Sequence, residues 1–494
     1  MILYLEGHDF RYAVEQCQLV FFPDDRPVFY QTEPPSNADA VRSRLSFADC
    51  YATAVTTIRR SGSVFRGIAR TASDGYPDRH DRKRSLTHAV KLSFYRAAVS
   101  ATGSRPPWGA LTGIRPAGLI RALMREGVTF SQANRMLRDR FDVSPQRADL
   151  CRSAAGTAVE VERGLSKNDI SLYIGIPFCP TRCAYCTFVS HAITRAGHLL
   201  PAFLEALVRE IEAVGVLVKE NHLHPMAVYI GGGTPTTLSA EQLGSLAEKI
   251  HECFDMSNIR EFTVEAGRPD TITMEKLDVL RRYGVTRVSV NPQSLRETVL
   301  AAAGRPHSAA DALRAYGWAA DAGFQVNTDL IAGLPGDTPD GFAQSLDRIL
   351  ALRPDNITLH TLARKKGSAL TLNQAPLPAS DAVGDMLTYA YGCLRDAGYR
   401  CYYLYRQKFM AGPFENTGWS RPGGENLYNV CMMEELRSAL SMGGGGVSKL
   451  VDPSRGLVER VFNPKYPYEY LSRFDDMIRG KEKIRTFYRN MSNL

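Results

Sequence analysis

Between residues 171 and 361 the chain repeats one pattern: a short, nearly continuous apolar run, then a longer stretch with apolar residues at helical spacing. The runs are Leu172–Ile176, Ala227–Ile230, Glu261–Ala266, Arg287–Asn291, Gln325–Ile331 and Asn356–Leu359. The clearest amphipathic stretch carries Phe203, Leu207, Ile211, Val214 and Val218 on one face, as a helix laid on a sheet would. Six strands alternating with helices predict an α/β fold with a parallel sheet and right-handed crossovers. Its length of about 190 residues suits a six-unit open barrel, since a closed eight-unit barrel takes about 250. Chemistry in such sheets sits at the carboxyl ends of the strands.

The flanks read differently. Residues 1–168 are expected to form an N-terminal α+β accessory domain. It has a strand at Met1–Leu5, a helical stretch over Phe10–Val20 and then a loop rich in Pro, Asp and Ser. Helices follow over Leu86–Ala101, Pro116–Met124, Ser131–Arg140 and Pro145–Leu165, with Pro116 suited to a first helical turn. Ser166-Lys167-Asn168 is the expected junction. The barrel is expected over 169–398, ending in a helix at Asp381–Ala397. Residues 399–494, rich in aromatics, Gly and Arg and carrying the run Gly443–Gly446, are expected to form a C-terminal region covering the substrate.

Composition adds limits. The 494 residues, 44% apolar and 23% charged, fit about three globular domains and exclude wholesale disorder. No apolar run reaches the roughly 18 residues of a membrane span. Met1–Phe10 carries Glu6, His8 and Asp9 where a signal peptide would be cationic and then apolar, so the expected location is the cytoplasm. The net charge is +8, and the stretch from Arg59 to Arg96 holds ten basic residues against three acidic ones. A solvated face, a grip on a polyanionic substrate and nucleic-acid binding would all produce that excess.

Seven of the ten cysteines are scattered, as small buried apolar residues usually are. The other three, Cys179, Cys183 and Cys186, follow the first barrel strand with the spacing C-x3-C-x2-C. Three thiolates on one loop can hold three irons of a cubane cluster and leave the fourth open. A zinc site would need a fourth ligand, for which His191 is within reach in sequence.

The ends of the following strands carry further polar residues. Gly231-Gly232-Gly233-Thr234-Pro235-Thr236 ends the second, where consecutive glycines admit a ligand close to the backbone and a nest of N–H groups suits a carboxylate. Glu265 ends the third, Gln293 the fourth with Arg305 twelve residues on, and Asp329 lies in the fifth before Gly333-Leu334-Pro335-Gly336. A carboxylate at Glu265 or Asp329 can accept from an amine or from ribose hydroxyls. A core ion pair and a plain turn are the structural alternatives.

The cluster spacing at the end of a first barrel strand resembles the radical S-adenosylmethionine (SAM) superfamily. The resemblance implies a 4Fe–4S cluster whose open iron binds SAM, and reductive cleavage to a 5′-deoxyadenosyl radical that abstracts hydrogen. The string from Tyr173 through Ile176-Pro177-Phe178-Cys179 to Tyr185-Cys186, followed by the Gly-Gly-Gly-Thr-Pro-Thr run, resembles the oxygen-independent coproporphyrinogen III oxidase/dehydrogenase branch. Carried over residue by residue, the SAM contacts fall on Tyr173, Tyr185, Gly232, Gly233, Glu265, Gln293, Arg305, Asp329, Ile331 and Ala363. Thr112–Pro116, Phe262–Asp270, Tyr403–Lys408 and Glu415–Trp419 resemble the HemZ-type subgroup.

That resemblance implies oxidative decarboxylation of two propionates of coproporphyrinogen III to the vinyl groups of protoporphyrinogen IX. The implied partners are a tetrapyrrole substrate and a flavodoxin- or ferredoxin-type electron donor, with no nucleic acid. Arg268, Arg305, Arg406 and Lys408 are the candidates for holding its carboxylates. One departure bears on this: where the best-studied enzymes of the branch carry a fourth cysteine, this chain has Phe188, and the related haem chaperones also lack that cysteine. A haem-binding chaperone is therefore the rival reading. A radical SAM RNA-modifying enzyme is a further one, opposed by the few aromatics (Phe65, Tyr76, Phe94, Tyr95) within the basic stretch.

Overall fold

The computed structural model describes residues 1–494 except 36, 77, 187–189, 364–367, 373–375, 408–412, 493 and 494, and the side chains of 80, 371, 372 and 492. Phe188 and Lys408 thus lie outside the described residues. The chain divides into two compact units, Met1–Arg152 with Gly412–Phe414, and Ser153–Ala411 with Glu415–Leu494.

In the first unit β1 (Ile2–Glu6), β2 (Val28–Tyr30), β3 (Ala40–Ala48), β4 (Tyr51–Arg60) and β5 (Ser63–Ala72) form one sheet in the order β2-β1-β3-β4-β5. The helices Arg11–Phe21 and Arg79–Thr102 bury Val14, Cys17, Leu86, Val90 and Phe94 against Leu3, Val41, Leu45 and Ile58. The stretch expected as a loop after Val20 instead holds four strands. Their inward positions are partly small, Ala52, Ala54 and Ala69, and alternate with Arg and Thr, so the period-2 signal is faint. The later helices stand where expected, at Pro116–Arg125, Phe130–Phe141 and Pro145–Arg163.

In the second unit all six expected barrel strands are present. They are β6 (Asp169–Ile176), then, after the two-residue pair β7 (Phe178–Cys179) and β8 (His191–Ala192), β9 (His224–Gly232), β10 (Glu261–Gly267), β11 (Arg287–Val290), β12 (Gln325–Ala332) and β13 (Asn356–Thr361). The six pair in parallel in chain order, because each crossover helix returns the chain on the same side. The helix Leu200–Glu220 buries Phe203, Leu207, Ile211, Val214 and Val218, the stripe its spacing predicts.

Apart from Gly412–Phe414, residues 399–494 belong to the second unit with the barrel strands. Their strands extend the barrel sheet at both edges, making eleven strands among the described residues. β14 (Arg400–Tyr405) and β15 (Asn416–Ser420) add beyond β13, with β15 antiparallel to it. β16 (Ala439–Gly443) lies parallel to β6, followed by β17 (Val447–Asp452) and β18 (Leu457–Phe462). An edge strand leaves donors and acceptors unpaired, and these segments satisfy them.

The glycine run after β16 locks onto the start of the cysteine loop. A side chain on Gly443 would strike the Gly175 carbonyl at 2.2 Å, and one on Gly444 would strike Pro177 at 2.7 Å. Behind the run, Glu210 and Lys481 form a fully buried ion pair at 2.8 Å. Glu210 also accepts from the Gly443 N–H at 2.7 Å, Asn463 Nδ2 at 2.7 Å and the Tyr470 hydroxyl at 2.5 Å.

Candidate active site

A cavity of about 370 Å³ opens at the carboxyl ends of the barrel strands, the end where parallel α/β sheets keep their chemistry. Cys179, Cys183 and Cys186 line it together with Tyr185, Gly232, Gly233, Glu265, Gln293, Arg305, Asp329, Ile331 and Ala363. Residues spread over 185 positions of sequence thus meet because each follows the end of a strand or its loop.

Among the described residues no three Cys, His, Asp or Glu side chains converge on one point as a single metal ion would need. A cubane places each thiolate on a different iron, so three thiols around one cavity wall fit a cluster rather than one ion. His191, the candidate fourth zinc ligand, sits edge-on to Tyr466 and Tyr468 and does not line the cavity. Around the thiols, the Thr234 hydroxyl lies 3.5 Å from Cys179 Sγ. Arg268 Nη1 lies 3.0 Å from Thr181 Oγ1 and 3.9 Å from Cys183 Sγ.

The glycine run earns its composition by close fit. An added Cβ on Gly233 would meet the Phe178 carbonyl at 2.4 Å and Cys179 Sγ at 3.0 Å, and one on Gly231 would meet Glu265 Oε2 at 2.9 Å. Gly232 has φ +112, a conformation open to glycine. The expected open nest of N–H groups is corrected, however. Gly233 and Thr234 donate to the carbonyls of Ile176 and Phe178, both at 2.8 Å, and Gly232 donates to the Glu265 carboxylate. The run binds the cysteine loop to the sheet while presenting a bare backbone surface to the cavity.

Glu265 is half-buried, its carboxylate accepting from the Tyr229 hydroxyl at 2.5 Å. Burial pushes its carboxyl up to about 7, and the charge of Asp329 adds to the rise, while the Tyr229 and Gly232 donors act against it. Asp329 accepts from Asn327 Nδ2 at 2.8 Å and stands 3.5 Å from His360 Nε2. Gln293 holds φ +67, unusual for a residue with a side chain. Its backbone N–H donates to the Asp329 carbonyl at 2.9 Å and its carbonyl accepts from Ile331 at 3.0 Å, which fixes that conformation. Gln293 Oε1 and Asn291 Oδ1 are buried acceptors without a partner among the described residues, and both residues line the cavity. Such orphaned acceptors fit a ligand carrying amine or amino N–H groups. The carboxylates Glu265 and Asp329 fit an ammonium and ribose hydroxyls, so the residue set suits SAM.

Arg305 is buried, with Nε donating to the Tyr185 hydroxyl at 3.2 Å and Nη1 to the Asn291 carbonyl at 2.5 Å. Two sequence expectations move. Tyr173 does not line the cavity; it stacks behind it on Tyr229 and Tyr428, with centroids 6.2 and 6.1 Å apart. Arg406 is also absent from the lining, because Tyr403, Tyr405 and Gln407 alternate into the cavity and Arg406 falls between them. Arg268 lines the cavity, with Asp270 clamping its guanidinium through two 2.8 Å bonds.

Tyr229, Asn327, His360, Tyr403, Tyr405, Asn416 and Asn429, none of them assigned a role from the sequence, complete the cavity wall. Tyr229 was legible by period 2 from Gly231; the residues of β14 and β15 required knowing that those strands join the barrel edge.

The radical SAM superfamily model matches residues 173–349. Over 420 residues the chain is 37% identical to the oxygen-independent coproporphyrinogen-III oxidase-like protein HemZ of Bacillus subtilis, covering 83% of this chain and 84% of that one. It is 33% identical over 267 residues to the heme chaperone HemW of Mycobacterium tuberculosis, covering 52% and 64%. Coproporphyrinogen III oxidase (HemN) of Escherichia coli, described as a radical SAM enzyme, superposes with a TM-score of 0.52 at 25% identity over 66% of this chain and 73% of that one. With its cysteine loop, its strand order and its cavity in agreement, the chain belongs to the radical SAM superfamily, which uses a 4Fe–4S cluster and SAM, among the HemZ-type coproporphyrinogen-III oxidase-like proteins.

Proposed function

We propose that the protein is an oxygen-independent coproporphyrinogen III dehydrogenase, converting two propionates to vinyl groups by oxidative decarboxylation. The observation that carries this reading is that the cysteine loop and polar and aromatic residues of the C-terminal strands line one cavity. When bound, the cluster and SAM supply one electron and a carbon radical able to abstract hydrogen. Cys179, Cys183 and Cys186 hold the cluster. Glu265 and Gln293 orient the methionine amine, and Asp329, braced by Asn327, takes the ribose. Arg305 keeps Tyr185 and the Asn291 carbonyl fixed beside them. Tyr403, Tyr405, Asn416 and Gln407 wall the cavity on the side where a macrocycle would lie, with residues 399–494 as its cover. Arg182, also in the lining, is the cation we assign to a propionate.

The partners on this reading are the tetrapyrrole and a flavodoxin- or ferredoxin-type donor. No helix among the described residues is long and apolar enough to cross a membrane. No two of the ten cysteines are joined in a disulfide, which suits a reducing cytoplasm. The likeness to HemW favours one second reading, a haem-binding chaperone on the same scaffold. Anaerobic incubation with coproporphyrinogen III, SAM and a reductant, followed by mass spectrometry, separates the two. Vinyl products with carbon dioxide support the dehydrogenase; tight haem binding without loss of carboxyl groups supports the chaperone.

A further inference from the structure

Three buried side-chain atoms of the cavity lining have no hydrogen-bond partner among the described residues: Asn291 Oδ1, Gln293 Oε1 and Asn416 Nδ2. The first two are acceptors, just past β11. The third is a donor, at the start of β15. Its identity is fixed by its other end: Asn416 Oδ1 accepts from the Thr361 backbone N–H at 2.8 Å. A backbone N–H can only donate, so the nitrogen is the end left over.

The strand turns that nitrogen inward. Trp419 Nε1 donates to Thr417 Oγ1 at 2.9 Å, and Trp419 packs on Tyr391 of the helix Ser380–Asp396 with centroids 5.4 Å apart. Alternation therefore gives Asn416 and Gly418 to the barrel interior. A side chain on Gly418 would strike the ring of Tyr403, which lines the cavity. Asn416 is 1% exposed, so its donor has given up water and asks for an acceptor from a ligand.

The surroundings select that acceptor. The arginines of the lining are Arg182, Arg268 and Arg305. Arg182 precedes Cys183 in the loop, Arg268 lies against Cys183 and Arg305 holds Tyr185. From Thr358 onward the lining carries no Lys or Arg among the described residues, and His360 faces Asp329. Tyr405, opposite Asn416 in register, accepts from Gln407 Nε2 at 3.2 Å and has its own O–H to give. Two neutral donors on neighbouring strands suit the two oxygens of a carboxylate.

On the dehydrogenase reading, on which this inference rests, the carboxylate that reacts needs different handling from those that are kept. Once the β-carbon has lost its hydrogen atom, the bond to the carboxyl carbon breaks and its electron pair stays on the side chain. Two of the three electrons now there form the vinyl π bond, the third passes to a one-electron acceptor, and carbon dioxide leaves uncharged. The negative charge thus departs from the carboxyl group as the bond breaks. A guanidinium would stabilise the starting charge and so raise the barrier, whereas a neutral amide orients the group at less cost. We propose that Asn416 Nδ2 holds the carboxylate of the propionate being decarboxylated, with Tyr405 beside it.

The test measures binding without turnover. Calorimetry of the anaerobic holoenzyme, with no reductant, compares coproporphyrinogen III with protoporphyrinogen IX, which lacks the two carboxylates that react. Asn416→Asp keeps the shape and the bond from Thr361 but turns the donor into an acceptor, while Asn416→Leu removes both. Asn416→Leu should weaken coproporphyrinogen binding about tenfold and Asn416→Asp at least as much, with protoporphyrinogen affinity held within about twofold. Iron content and SAM affinity should match the unaltered protein. An Asp variant that binds coproporphyrinogen as the unaltered protein does, or equal losses for both tetrapyrroles, would overturn the assignment and leave Asn416 as a brace for β13. If the unaltered protein binds coproporphyrinogen yet releases no carbon dioxide when SAM and reductant are added, the dehydrogenase reading itself fails and takes the assignment with it.

Discussion

The guanidinium of Arg268 lies 3.9 Å from the sulfur of Cys183 while Asp270 holds its other side through paired 2.8 Å bonds. A buried cation beside a cluster thiolate favours the more negative, reduced cluster. Arg268→Met should therefore lower the midpoint potential of the reconstituted cluster by on the order of 60 mV, a factor of about ten in a one-electron equilibrium. Arg268→Lys should fall between. An EPR-monitored redox titration reads this directly. An unchanged potential would leave Arg268 as a brace for the loop alone.

Glu265 gives a pH signature. Its carboxyl titrates near 7 in the folded protein because it is buried, and only the ionised form attracts the amine of SAM. The ionised fraction rises about tenfold between pH 6 and pH 8, so SAM affinity measured by calorimetry should rise by up to about that factor and level off above. Glu265→Gln should bind weakly and lose the pH dependence while keeping its iron. A rise of equal size in the variant would mean that another group titrates.

The cluster ligands make a sharper demand. With three thiolates available, changing any of Cys179, Cys183 or Cys186 to Ala should reduce reconstituted iron from roughly four per chain to near none. Iron analysis decides it, and a cluster that survives two such changes would contradict the assignment.

Glu210 tests how the glycine run supports the loop. Glu210→Ala would leave the buried Lys481 ammonium without its counter-charge, which costs about 3–5 kcal/mol where a buried pair is broken. Denaturant unfolding should show that loss. A double change, Glu210→Met with Lys481→Met, should recover much of it, since no charge is then buried. Equal stability of the single and double variants would show that the network's hydrogen bonds, rather than the ion pair, set the stability.

Much of the barrel was legible because a parallel sheet covered on both faces leaves near-continuous apolar runs, and the Phe203 to Val218 stripe reads as a helix. The cysteine spacing and the polar residues at the strand ends were legible for the same reason: each lies at a fixed place relative to its run. Three things were hidden. The strands after Val20 alternate alanine with arginine and threonine, which carries little hydrophobic contrast. The pairing of β14 to β16 with the barrel edges is set by contacts far apart in sequence. The fate of the N–H groups of Gly232, Gly233 and Thr234 depends on the carbonyls of Ile176 and Phe178 and on the Glu265 carboxylate, none of them local in sequence.

On the proposed function, this cavity removes hydrogen from a propionate side chain. Coproporphyrinogen III deuterated at the propionate β-carbons, turned over anaerobically with SAM and reductant, tests it most directly. Deuterium should appear in the recovered 5′-deoxyadenosine, in step with the loss of carbon dioxide. Deuterium-free 5′-deoxyadenosine, with the macrocycle recovered carrying all its carboxyl groups, would contradict it.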